Sequence, residues 1–148
     1  MLDDNLYIIP SHPFTKIPYD TLHKTLVYLK NTFSADTIEI IQNDYPEFID
    51  CGENLEEIRC PICDQKLSSD WWGEEMLQHE SIHYENLDII TPCCMKKTSL
   101  NDLHYHFTCG FACTYIRMMN PTNPIAPQHI QYIEKIMHSP ITLIHQHI

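Results

Sequence analysis

Cys60-Pro61-Ile62-Cys63, answered further along by Thr91-Pro92-Cys93-Cys94, constrains the fold of this chain more than any other feature. Two residues between paired cysteines let one tight turn deliver two sulfurs to the same metal ion, and a tetrahedral Zn²⁺ takes four such ligands. The spacing predicts a structural Zn²⁺ site built by Cys60, Cys63, Cys93 and Cys94. A closed four-ligand site stabilises a fold and carries no reaction of its own. It says how part of the chain is held, not what the protein does.

The second half of the motif is irregular. Twenty-nine residues separate Cys63 from Cys93, and the second pair is contiguous. Adjacent residues on a strand point to opposite faces, so both sulfurs reach one ion only if the backbone turns sharply there, a turn that Pro92 favours. If just one of the two ligates, Cys51, His79 or His83 is available as the fourth donor. A thioredoxin-type redox dithiol would need a helix directly after Cys63, whereas Asp64 to Ser69 reads as a turn. Seven cysteines leave one unpaired in any disulfide framework, and Met1-Leu2-Asp3-Asp4 is not the start of a basic-then-apolar leader. These points predict a reducing, cytoplasmic setting.

A length of 148 residues suits a single domain, 1–148, with a real core. Within it the knuckles outline a zinc-binding lobe over 51–94. No apolar run approaches a membrane span. Nine basic residues stand against 20 acidic ones, a net charge of −11. Phosphate backbones are bound through a positive footprint, so this balance argues against nucleic acid as a partner, although zinc ribbons often suggest one. An acidic surface serves solubility or attracts a basic protein.

Periodicity predicts strands at Leu6–Ile9, Thr37–Ile41, Glu56–Arg59, Leu87–Ile90, His104–Phe107 and Ile141–Ile148. Helices are expected at Tyr19–Phe33, with Leu22, Leu26 and Leu29 on one face behind an Asp20 or Thr21 cap, at Trp71 to about Tyr84 behind Ser68-Ser69-Asp70, at Gly110–Met119 and at Gln128–Met137.

His79-Glu80-Ser81-Ile82-His83 matches the H-E-x-x-H pattern, in which two histidines on one helix face bind Zn²⁺ and the glutamate activates water. With ten His in the chain and as many Glu, chance produces such a match in about one chain of twenty. Polar residues flank the motif, where a metalloprotease helix is apolar. Trp71 and Trp72 cannot both face inward from one helix face, which makes one indole partly exposed and a candidate partner anchor, set against the plainer and favoured reading that both rings pack under neighbouring loops. His104 and His106 share a strand face and Cys109 and Cys113 a helix face, a possible second metal site set against ordinary core and rim roles.

The string Asp50-Cys-Gly-Glu-Asn-Leu-Glu56, Cys60-Pro-Ile-Cys63, Trp71-Trp72, Thr91-Pro-Cys-Cys94, Ser99-Leu-Asn-Asp-Leu103, Gly110-Phe-Ala112 and Asn120-Pro121 resembles a family of small bacterial proteins with a zinc-ribbon-like insertion. The likeness spans roughly residues 45 to 125. In that pattern glycine follows the second cysteine pair, where this chain has Met95, and no H-E-x-x-H occurs. The resemblance implies a metal-stabilised fold and no particular reaction.

The combined expectation is an α+β domain with a mixed sheet, peripheral helices and a zinc-ribbon-like lobe. Its expected role is non-catalytic protein binding, in one form an acidic inhibitor or immunity-type protein that masks a basic toxin. A zinc-dependent hydrolase using His79, Glu80 and His83 is the alternative from another class. A zinc-ribbon nucleic-acid binder relying on Arg59, Lys66, Lys96 and Lys97 is the third.

Overall fold

A computed structural model describes residues 3–148. Met1 and Leu2, on which the reading of a leaderless start partly rests, lie outside the described residues. The α+β class holds: three helices accompany three antiparallel sheets.

The principal sheet has the order β2-β7-β1-β8, where β1 is Asp4–Pro10, β2 Thr37–Ile49, β7 Gly110–Met119 and β8 Ile141–His147. Every ladder in it is antiparallel, so the mixed pairing expected from the sequence is reduced to one isolated parallel bridge between Gly52 and His147. One face is covered by α1 (Tyr19–Thr32) and α3 (Pro127–Met137). There Leu22 and Leu29 of α1 and Ile133 and Met137 of α3 pack on Leu6, Ile8, Ile116 and Met118 of the central strands. The other face gathers Tyr7, Ile9, Tyr115 and Ile144. Central strands covered on both faces lose the alternation that marks a half-buried strand.

That loss explains the largest correction. Gly110–Met119, expected as a helix, is a strand of the sheet centre, pairing Ile116 with Ile8 on one side and with Ile40 on the other. Its apolar run, rich in aromatic and β-branched residues, is that of a fully buried strand. Strand β2 is also far longer than the Thr37–Ile41 expected. It passes Pro46 through a register shift between Gln42 and Glu47, and an edge strand tolerates a residue that cannot donate to the ladder. Helix α1 has no side-chain cap: Pro18 precedes it, and Thr25 rather than Leu26 fills the middle of its buried face.

Between Ile49 and Gly110 the chain leaves the sheet and builds a separate lobe. It contains β3 (Glu57–Arg59), α2 (Ser69–Glu80), β4 (Asp88–Ile90), β5 (Lys97–Ser99) and β6 (His104–His106). β3 pairs with β6 and β4 with β5, two ribbons of three-residue strands. The expected boundary at Cys94 falls short because the partner of β3 lies at residues 104–106. The lobe's own cluster includes Ile58, Leu67, Met76, Leu87, Ile89 and Leu100, and it reaches the sheet through Phe111 of β7. Among the described residues no helix is long and apolar enough to cross a membrane.

Candidate metal centre

The centre consists of two turns that share one hydrogen-bond pattern. In the first, Cys60 N–H donates to Gln65 O at 2.9 Å and Asp64 N–H donates back to Cys60 O at 3.0 Å. In the second, Thr91 N–H donates to Lys96 O at 3.1 Å and Met95 N–H to Thr91 O at 2.9 Å. Asp64 and Met95 occupy the same place and both are left-handed, with φ of 63° and 56°. Superposing the patterns puts Pro61 on Pro92, Cys63 on Cys94, Ile62 on Cys93 and Cys60 on Thr91. The second turn is thus a knuckle whose first cysteine is replaced by threonine and whose third position supplies a cysteine instead.

This arrangement resolves how contiguous cysteines serve one site. The sulfurs of Cys60, Cys63, Cys93 and Cys94 all lie within 4.8 Å of one another, with Cys60 Sγ to Cys94 Sγ at 3.9 Å and Cys63 Sγ to Cys93 Sγ at 3.3 Å. Cys51, His79 and His83 are not part of the cluster. The four thiols form a donor set of a size and composition that can hold one metal ion. Thr91 is fully buried, and its hydroxyl lies 3.2 Å from Cys94 Sγ and 3.3 Å from Lys96 O; its one proton can serve either, and a thiolate at Cys94 would be the stronger acceptor. Sequence reading missed this residue, although the Pro and Cys shared by the two turns would have exposed its equivalence to Cys60.

The sulfurs differ in their ease of ionisation. Burial, the largest single effect, opposes the thiolate of Cys60, yet the backbone N–H groups of Cys63 and Ile62 together with the thiols of Cys93 and Cys63 lower the thiol to about 6. Cys93 is pushed up to about 12 by desolvation and by the neighbouring thiols of Cys63 and Cys60. Four like charges cannot gather here without a cation to neutralise them.

The histidine motif is not assembled as a helical pair. α2 ends at Glu80, and His83 and Tyr84 adopt left-handed φ values of 57° and 54°. His79 engages both ring nitrogens locally, Nδ1 at 2.8 Å from Glu75 O and Nε2 at 2.9 Å from Asp88 O. His83 instead stacks on Tyr45, ring centres 4.8 Å apart. Nor do His104, His106, Cys109 and Cys113 converge on a second site: His106 faces Glu56 at 3.5 Å, Cys113 donates to Pro13 O at 3.5 Å, and Cys109 meets Cys51.

Trp71 and Trp72 are both half-buried against the lobe core, the plainer of the two readings the sequence allows. Ser68 caps their helix, accepting from Trp71 N–H at 3.4 Å. Trp72 Nε1–H donates to Tyr105 Oη at 3.2 Å, and Tyr105 Oη–H donates in turn to Leu100 O at 2.7 Å. Trp72 therefore has its polar group satisfied while its ring borders a cleft of about 600 Å³ that Leu55, Glu56, Glu57, Ile58 and Leu67 also line.

Comparison with protein-family models, with curated proteins and with solved structures finds no match for this chain.

Proposed function

We propose that this protein is a non-catalytic protein-binding module, its lobe held by a structural Zn²⁺ on Cys60, Cys63, Cys93 and Cys94, and that it acts as an acidic inhibitor or immunity-type protein toward a basic partner such as a nuclease-like toxin. The metal assignment is supported by an all-sulfur donor set, which favours Zn²⁺ over hard cations. Tetrahedral Zn–S bonds of about 2.3 Å place sulfurs about 3.8 Å apart, beside 3.9 Å for Cys60–Cys94, 3.3 Å for Cys63–Cys93 and a limit of 4.8 Å for the whole set. Four protein ligands leave no open position for a substrate.

The observation that carries the binding role is the cleft beside Trp72. The indole of Trp72 and the carboxylate of Glu56 at the same opening suit a lysine or arginine side chain that meets the ring face; Glu57 on that rim is already paired to Arg59, and Lys66 also lines the cleft. The net charge of −11 steers such a partner from a distance. The nucleic-acid reading loses two of its four cations to local pairing: Arg59 binds Glu57 at 3.0 Å and Lys97 binds Asp88 at 3.3 Å. The motif string's resemblance to a bacterial family with a zinc-ribbon-like insertion agrees with a metal-held lobe and adds no activity.

The test is affinity purification from the native host followed by binding kinetics. A basic protein partner should associate more slowly as salt rises, since screening acts over about 8 to 10 Å near physiological ionic strength. Trp72→Ala should raise its dissociation rate with little change in association. Recovery of DNA or RNA alone, bound tightly despite the negative charge, would overturn the proposal.

A further inference from the structure

Cys51 and Cys109 stand where the chain leaves and re-enters the principal sheet. Ile49 closes β2, Gly110 opens β7, and the two are partners in the ladder. The intervening 57 residues, 52–108, contain the entire lobe. Just beyond that last pair the two sulfurs lie 3.3 Å apart, in side chains that are 0% and 5% exposed. Both also sit near one carbonyl oxygen, Phe107 O, at 3.6 and 3.7 Å. They are too few to make a tetrahedral centre, and they are not part of the four-sulfur cluster. An Sγ–Sγ separation of 3.3 Å leaves only a short approach to the roughly 2 Å of a disulfide bond.

We propose that Cys51 and Cys109 form an oxidisable dithiol at the neck of the lobe, a modification site converted to a disulfide by low-molecular-weight disulfides of the glutathione class. A cleft of about 340 Å³, lined by Tyr105, Thr108, Cys109 and Gly110 among others, reaches Cys109 and not Cys51. This sets the order of events. The Cys109 thiol gives up its proton, and the thiolate attacks one sulfur of the small disulfide and expels one small thiolate. The Cys51 thiolate then attacks the Cys109 sulfur of the mixed disulfide and expels the second. Two protein thiols have lost two electrons and two protons, and one small disulfide has become two small thiols.

Burial, followed by the adjoining Cys51, raises the Cys109 thiol well above its usual range, so the first step is slow. The second is fast, because the resolving sulfur is already in place. Cys109, its thiol raised, is a poor leaving group, so reversal by attack on the Cys51 sulfur is disfavoured once the bond has formed. It would tie the two ends of the lobe together whether or not the knuckles hold metal.

The experiment uses the full chain loaded with Zn²⁺ and incubated overnight with excess oxidised glutathione. Free thiols are then alkylated and the chain is digested without reduction for mass spectrometry. A Cys51–Cys109 bridged peptide that dithiothreitol abolishes is expected, with Cys113 alkylated. In Cys51→Ser, Cys109 should instead accumulate a stable glutathione adduct. Cys51 and Cys109 both alkylated in the parent chain would overturn the proposal, as would a glutathione adduct on Cys109 that persists there. Oxidation of the knuckle cysteines would count against the metal reading, and it leaves the neck result readable because each cysteine is mapped separately.

Discussion

The principal sheet and the lobe solve the problem of stability in different ways. The sheet has strands of 7 to 13 residues, two of them buried on both faces between helices and a second apolar layer. The lobe has four strands of three residues each in two-stranded ribbons, a size that is marginal in water without further support. Its apolar cluster supplies part of that support, and two knuckles whose four sulfurs can hold one metal ion would, on the proposed reading, supply the rest. Burial holds the one region and, on the proposed metal reading, coordination the other, and Phe111 is the seam, a β7 residue packed into the lobe's core.

The largest effect that would break this contrast concerns coordination. Cys60→Ser should abolish stoichiometric metal binding, expected at close to one Zn²⁺ per chain. It should unfold the lobe at a cost of several kcal/mol, since metal binding and lobe folding are one process. Elemental analysis with near-ultraviolet circular dichroism checks this, and a metal-free chain with an unchanged lobe would refute it. Next in size is the sheet's own core. Ile116→Ala empties a fully buried site facing both helices and should cost about 2 to 5 kcal/mol in urea denaturation while leaving metal content intact.

Smaller changes sharpen the comparison at single atoms. Thr91→Val removes the hydroxyl beside Cys94 Sγ and should weaken metal affinity by about 10- to 100-fold, read by competition with a chromophoric chelator. An unchanged affinity would mean that Thr91 only fills space. Smallest is Met95→Gly. Met95 is left-handed and 73% exposed, so glycine relieves backbone strain and gives up little packing. It should stabilise the lobe by about 1 kcal/mol, seen as a higher melting temperature of the metal-loaded chain.

Much of the fold was legible from local rules. The cysteine spacing located the centre, and 3.6-residue periodicity located α1, α2 and α3 to within a few residues. β7 was illegible because a strand buried on both faces carries no alternation, so Cys109 and Cys113 at a spacing of four read as one face of a helix. The helical extension to Tyr84 failed because His83 and Tyr84 take left-handed conformations that composition does not announce. The equivalence of Thr91 to Cys60 lies in backbone hydrogen bonds, and the meeting of Cys51 with Cys109 depends on pairing residues far apart in the chain. Long-range register decided β7 and the meeting of Cys51 with Cys109, whereas the end of α2 and the Thr91 turn were set by local backbone conformation.

The most direct test of the central claim is amide hydrogen exchange of the metal-loaded chain, repeated after chelation. The account predicts that exchange at residues 57–99 accelerates by orders of magnitude on metal removal, whereas Leu6–Ile9 and Ile116–Met118 keep their protection. Lobe amides that stay protected without metal, or a sheet that loses protection together with them, would contradict it.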